Sequence, residues 1–291
     1  MQRMTLLCCL GMMIMNTGCV RADDSNAEAY PETISTADGA ALTEMLLKTD
    51  SAVRIRVNDA ESYDPDAWIQ EAVQSHILAR TMLQRVTWYR SGEYLTVQAY
   101  YAKPQDTLRQ DKRKLHEAAK LWCLENAAES DAVRVLLAHD LLCRSCTYAN
   151  DLPDCHGAAG ALLERRAACD GYAEAFALLM EYAGIPVKIV TGQAVDEYGK
   201  KEAHAWNLIQ LNDAWYHIDC TWDDSGAAPE HTYFLCDDTT MRLTHIWDDE
   251  KYPPAIGGGY RYEVIVSEMA ARIRKADVGY TGYNPAQDSD W

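Results

Sequence analysis

Two apolar runs, residues 204–211 and 214–222, flank Asn212-Asp213 and constrain the fold more than any other stretch of the chain. Their alternation and the two-residue loop between them read as a β-hairpin. Pairing Leu211 with Ala214 sets Trp206 opposite Asp219 and His204 opposite Thr221. Side chains two residues apart on a strand share a face. His204 and Asp219 are then diagonal neighbours, about 7 Å apart at the backbone, a gap that a side-chain hydrogen bond can bridge. An odd-length loop would send them to opposite faces.

A second constraint lies upstream, in the sequence ACDGYAEAF at 168–176. From Tyr172 on, Ala173, Phe176, Ala177, Met180 and Ala183 recur at helical spacing, and Gly184 and Pro186 end the pattern. Cys169 therefore opens a buried helix of roughly four turns, where unpaired backbone N–H groups favour negative charge. Gly171 lets another backbone or a substrate approach closely. A cysteine attacks as its thiolate, favoured at a helix N-terminus and beside a cationic imidazole. Cys169, His204 and Asp219 thus supply a nucleophile, a base and a group to orient the base. Taken singly, each has a plainer reading: a small core residue, a satisfied core histidine, a carboxylate beside a turn. Their joint occurrence with these flanking residues points to a site.

The G-Y-A after Cys169, the H-A-W-N at 204–207 and the W-Y-x-x-D-x-T-W-D-D at 215–224 resemble the bacterial transglutaminase-like domains, related in fold to papain-type cysteine proteases. The resemblance runs from about Asp106 to Pro254. It implies an α+β, papain/transglutaminase-like fold with the cysteine at a helix N-terminus packed on an antiparallel sheet. It further implies Cys169 as nucleophile, His204 as general base and acid, and Asp219 as the group fixing the imidazole tautomer. Tyr148, at the end of the preceding helix, is implied to stabilise the oxyanion beside the backbone N–H of Cys169. Trp206, Trp222 and Gly171 are expected along the substrate cleft. Cys220 stands where an aliphatic residue is usual.

Residues 1–18, with Arg3 and an apolar run from Met4 to Met15, read as an export signal. The small residues before Cys19 resemble a lipoprotein cleavage site, with Cys19 as the lipidated residue; the alternative is a buried N-terminal helix. The polar stretch 19–39 reads as a tether, 40–104 as an accessory α/β domain and 105–256 as the catalytic domain. Residues 257–291 read as a strand (Tyr260–Val266), a helix capped by Ser267 and a loose tail. Within the accessory domain, Asp64-Pro65 is expected to open one helix running to Gln84. Gln193–Glu202 is expected as a polar loop at the substrate rim.

The formal net charge of −17 argues against nucleic acid and anionic lipid as partners. The membrane enters only through a lipid anchor, and the expected partner is a peptide or protein substrate. Apart from the thiols of the leader, Cys19 and Cys169, six cysteines remain, and an even remainder in an exported chain suggests disulfides. Cys143, Cys146 and Cys155 are the candidates, preferred over a zinc site made by the same three with His156. The acidic pairs at 223–224, 237–238 and 248–249 match no EF-hand spacing, so neither metal nor cofactor is expected. The chemistry expected is amide cleavage through a thioester by an exported enzyme, as a peptidase or deamidase. The alternatives are protein crosslinking and a catalytically silent surface binding module.

Overall fold

The computed structural model describes residues 3–9, 12–16, 40–57, 64–151, 153–226 and 228–279. In its N-terminal part β1 (Arg3–Cys9) and β2 (Met12–Asn16) form a hairpin, followed by α1 (Ala40–Lys48), β3 (Ala52–Arg56), α2 (Pro65–Gln74), α3 (Ile77–Arg80), β4 (Leu83–Ser91) and β5 (Tyr94–Tyr101). These strands make one antiparallel sheet in the order β2-β1-β4-β5-β3. The apolar stretch expected as a leader thus carries the edge strand β2 and its neighbour β1. Cys19 and the tether 19–39 lie outside the described residues.

Asp64 caps α2 as anticipated, accepting from the N–H groups of Asp66 and Ala67 at 3.0 and 3.2 Å. The single helix expected to Gln84 is instead two. His76 turns extended, at φ −159°, and its Nδ1 caps α3 by accepting from Leu78 N at 3.0 Å. Leu83 already belongs to β4. Leu42, Leu46, Ile55, Ile69, Leu95 and Val97 form the buried centre of this part.

The chain continues through α4 (Gln105–Glu125), α5 (Asp131–Ser145), β6 (Thr147–Tyr148), a π turn at Gly160–Glu164, β7 (Arg166–Ala167) and α6 (Cys169–Ala183). Then come β8 (Val187–Val195), β9 (Lys201–Leu211), β10 (Ala214–Ile218), β11 (Phe234–Cys236), α7 (Asp238–Met241), β12 (His245–Ile246) and α8 (Tyr262–Gly279). The second sheet is antiparallel in the order β11-β10-β9-β8-β12. This is the expected α+β layout, with α6 packed between the β8–β9 face and helices α4 and α5. Gly184, left-handed at φ +70°, ends α6.

Two expectations need correction here. Tyr260–Val266 is not a strand: Ile265 and Met269, four residues apart, put one helical face of α8 on the core, while Val264 and Val266 stay exposed. Ser267 therefore lies inside a helix rather than capping one, and the tail beyond Gly279 is outside the described residues. The polar loop before β9 spans only residues 196–200, because β8 and β9 stay paired as far as Val195 and Lys201.

The N-terminal part is bonded directly to α6. Glu174, 7% exposed, accepts from Arg80 Nε at 3.2 Å, Thr81 Oγ1 at 3.1 Å and Ala158 N at 3.3 Å. About two turns further along, Glu181 accepts from Ile77 N at 3.2 Å. Burial pushes both carboxyl groups up, that of Glu181 to about 7.

Candidate active site

Cys169 is the first residue of α6 and is half-buried. Its position is set by tight backbone packing rather than by a side-chain cap. Ala168 N donates to Cys155 O at 2.9 Å, and β6 runs parallel to β7 with Tyr148 paired to Ala167. Gly171 serves this packing and not the cleft: a Cβ there would meet Ala167 Cβ at 2.8 Å and the carbonyl oxygens of Cys155 and Gly157 at 2.9 and 3.0 Å. Next to Cys169, Asp170 receives His156 Nδ1 at 3.0 Å, an ion pair that holds His156 above its ordinary value.

The hairpin has the anticipated register. Ala214 pairs with Leu211 and Ile218 with Asn207 across a two-residue loop in which Asn212 takes φ +52°. Asp219 follows the last pair, and its carboxylate reaches the neighbouring strand: His204 Nε2 donates to Asp219 Oδ2 at 2.7 Å. Thr221 N and Trp222 N donate to Oδ1 at 2.9 and 3.2 Å. Burial pushes Asp219 up, but the charge and hydrogen bond of His204, joined by those of His245, outweigh it and hold the carboxyl below the usual carboxylate range. Burial likewise pushes His204 down. The charge and hydrogen bond of Asp219, joined by a side-chain hydrogen bond with Cys169, reverse this and raise it to about 10. With Nε2 taken by Asp219, Nδ1 is the ring nitrogen left for the thiol. The arrangement can stabilise an imidazolium beside sulfur and carry a proton to or from a reacting group.

One member was missed. His245, on β12, donates from Nε2 to the same Asp219 Oδ2 at 3.1 Å and pairs through Nδ1 with Thr244 Oγ1 at 2.9 Å. It comes 26 residues after Asp219, so no local spacing announces it. Gly192 permits its approach. Gly192 pairs with His204, and a Cβ there would sit 2.2 Å from Ile246 O and 2.9 Å from Trp206 Cη2.

Trp206 is not a cleft wall. At 1% exposed it lies in the core behind His204, stacked on that ring at 5.9 Å, edge-on to His245 at 4.9 Å, and donating from Nε1 to His217 Nδ1 at 2.9 Å. It shares a strand face with His204, and Met241, Trp247 and Ala255 pack against it there. Trp222 does reach the cleft, a cavity of about 340 Å³ lined also by Tyr148, Lys200, Glu202, His204 and Asp224. Tyr148 lies beyond the end of α5, on β6, rather than on the helix itself, and is half-exposed. Burial and the neighbouring Cys169 push its phenol up.

The cysteine expectations change most. Cys123, Cys143, Cys146, Cys155, Cys169, Cys220 and Cys236 are all free thiols, so Cys143, Cys146 and Cys155 are not joined to one another. Nor do they converge with His156. Cys155 Sγ points to Asp151, Cys146 Sγ to Thr147 O, and His156 to Asp170, while Cys143 Sγ lies 3.3 Å from Cys220 O. The intervening loop and π turn carry Cys155 away from the end of α5.

Residues 123–220 match the transglutaminase-like superfamily. Over 88 residues the chain is 31% identical to the kyphoscoliosis peptidase of Mus musculus, a stretch that is 28% of this chain and 12% of that protein. Among solved structures it is similar to a TGase, at 13% identity and a TM-score of 0.35 over 62% of this chain and 53% of that one. It is also similar to the periplasmic domain of TgpA from Pseudomonas aeruginosa, at 21% identity and a TM-score of 0.31 over 48% and 55% of the two chains. The chain spans less than two-thirds of the length of each of these relatives. The matched span holds Cys169, His204 and Asp219, and the chain carries a transglutaminase-like domain.

Proposed function

We propose that this chain is a cysteine-dependent amide-cleaving enzyme. The observation that carries the reading is His204, buried and held protonated between Asp219 and Cys169. Cys169 Sγ attacks the amide carbonyl carbon and the C–N bond breaks, with His204 giving its proton to the departing amine. The thioester left on sulfur is then hydrolysed as His204 takes a proton from water, which releases the acid and restores the thiolate–imidazolium pair. Tyr148, beside Cys169 on the cleft, assists at the carbonyl oxygen. The cleft carries Asp196, Glu202 and Asp224 against the one lysine, Lys200, which favours neutral or basic acyl substrates. The peptidase named among the relatives supports water as the acceptor; a lysine amine in its place would make the same thioester a crosslinking intermediate. The N-terminal apolar run supports export, with Cys19 carrying lipid; the processed chain then lacks β1 and β2 and its sheet begins at β4.

The test is alkylation of Cys169 by iodoacetamide from about pH 4 to 9, read by peptide mass spectrometry with His204→Ala alongside. Fast labelling below neutral pH that His204→Ala abolishes is the expected result. Labelling that rises only near about 8.5, the value of an ordinary thiol, in both proteins would refute the enzyme and favour a binding module on the same fold.

A further inference from the structure

Behind the turn that follows β10, four metal-ligating side chains that acyl transfer does not use are buried together. His139 and Cys143, four residues apart, share one face of α5. Cys220 and Asp223 come from the turn that begins at Asp219. His139 and Asp223 are 0% exposed, Cys143 and Cys220 6% and 2%. His139 Nε2 lies 3.7 Å from Cys143 Sγ and 3.1 Å from Asp223 Oδ2. The ligand atoms of His139, Cys143 and Cys220 are all within 4.8 Å of one another.

Tetrahedral zinc, with Zn–N about 2.0–2.1 Å, Zn–S about 2.3 Å and Zn–O about 2.0–2.2 Å, spaces neighbouring ligand atoms roughly 3.3–3.8 Å apart. The separations around His139 are close to that. We propose that His139 Nε2, Cys143 Sγ and Cys220 Sγ hold a structural zinc ion, with Asp223, already within reach of His139, as the carboxylate that swings in to take the fourth position. The surroundings are those such a site needs. His139 Nδ1 faces Asp140 Oδ1 at 3.1 Å, and Asp140 is held in turn by Arg144 at 3.0 Å and His231 at 2.8 Å. A carboxylate behind a ligating imidazole fixes which nitrogen faces the ion. Asp223 accepts from Tyr233 N at 3.0 Å through Oδ1 and 3.2 Å through Oδ2, which anchors its carboxylate beside His139. Two sulfurs and an imidazole select zinc over calcium or magnesium, which take oxygen ligands. On binding, the two thiols release their protons to solvent and His139 coordinates as the neutral ring. A Cys143–Cys220 disulfide is the competing fate of these thiols, but it leaves unexplained why a histidine and a carboxylate are buried against them. The zinc set weighed against disulfides from the sequence, Cys143, Cys146, Cys155 and His156, shares only Cys143 with this one.

The proposal is independent of turnover at Cys169. Its test uses the full chain, reduced and loaded with zinc or cobalt(II), then freed of excess metal. The expected result is one zinc per chain by mass spectrometry of the elements. Cobalt should show thiolate-to-metal charge transfer in the near ultraviolet and the intense visible bands of tetrahedral coordination. Cys143→Ser and Cys220→Ser should each fall from one zinc per chain to none, while Cys236→Ser, a buried thiol outside the cluster, keeps it. Should the serine variants fail to fold, the cobalt spectrum of the unsubstituted chain decides. A weak octahedral spectrum without charge transfer would overturn the proposal. So would a Cys143–Cys220 disulfide that, once reduced, leaves a chain taking up no zinc.

Discussion

Replacing Asp219 by asparagine removes a charge while keeping the shape, and the consequence can be worked out across pH. His204 holds its proton to about 10 in the folded chain, against an ordinary 6.5. A folded value above the unfolded one makes protonation favour folding: the contribution is complete below about pH 6.5 and is lost as pH rises through about 10. Asp219 is depressed in the folded chain, so its contribution is present above its ordinary 3.8 and is lost on acidification below that. These are two ends of one interaction and count once. On the alkaline limb, stability falls by about 1.4 kcal/mol per pH unit, or about 3 kcal/mol between about pH 6 and pH 9. In Asp219→Asn burial acts on His204 with no carboxylate charge to offset it, and that slope disappears. Urea titrations of both proteins at several pH values give the quantity needed, the difference in stability between them. His139, also held above its ordinary value, contributes to both proteins and cancels. Parallel profiles for the two proteins would refute the reasoning, because Asp219 would then not be what keeps His204 protonated.

Two further outcomes are expected. His245→Ala removes one donor to Asp219 Oδ2; a hydrogen bond to a charged group is worth about 1.5–3 kcal/mol, so kcat should fall about 10- to 100-fold with KM little changed, and an unaltered kcat with an unaltered pH profile would deny His245 its positioning role. Gly192→Ala drives a methyl group into Ile246 O and Trp206; overpacking costs about 1–3 kcal/mol, so a thermal melt should fall by roughly 2–12 °C, whereas Gly258→Ala, with open space around it, should melt like the parent.

What was legible in the sequence was local. The even loop at Asn212-Asp213 fixed the register that brings His204 to Asp219, and helical spacing closed by Gly184 and Pro186 fixed the course of α6. Alternation tells which residues share a face but not what covers it. Trp206 was therefore assigned to a cleft, although Met241, Trp247 and Ala255 pack against it, and of the two neighbours open to Gly171, a backbone or a substrate, the fold puts a backbone there. His245 reaches Asp219, and Cys143 reaches Cys220, only once the second sheet and α5 have packed, because each pair is far apart in sequence. The break at His76 escaped notice because the apolar spacing continues through it. A histidine side chain capping the next helix is a three-dimensional fact that periodicity does not record.

The bonds from Arg80 and Thr81 to Glu174 bear on how such a chain can be inherited. Glu174 lies on the same helix as Cys169, and two of its three donors come from the N-terminal part. A segment starting after Pro104 would hold the nucleophile, the base and the orienting carboxylate, yet it would leave a buried acid under its own nucleophile without those two partners. The stretch matched to other proteins is thus smaller than the stretch that could be transplanted. Recombination that kept the site while exchanging what precedes it would have to supply a new cation and hydroxyl at the same place, or lose Glu174 at the same time.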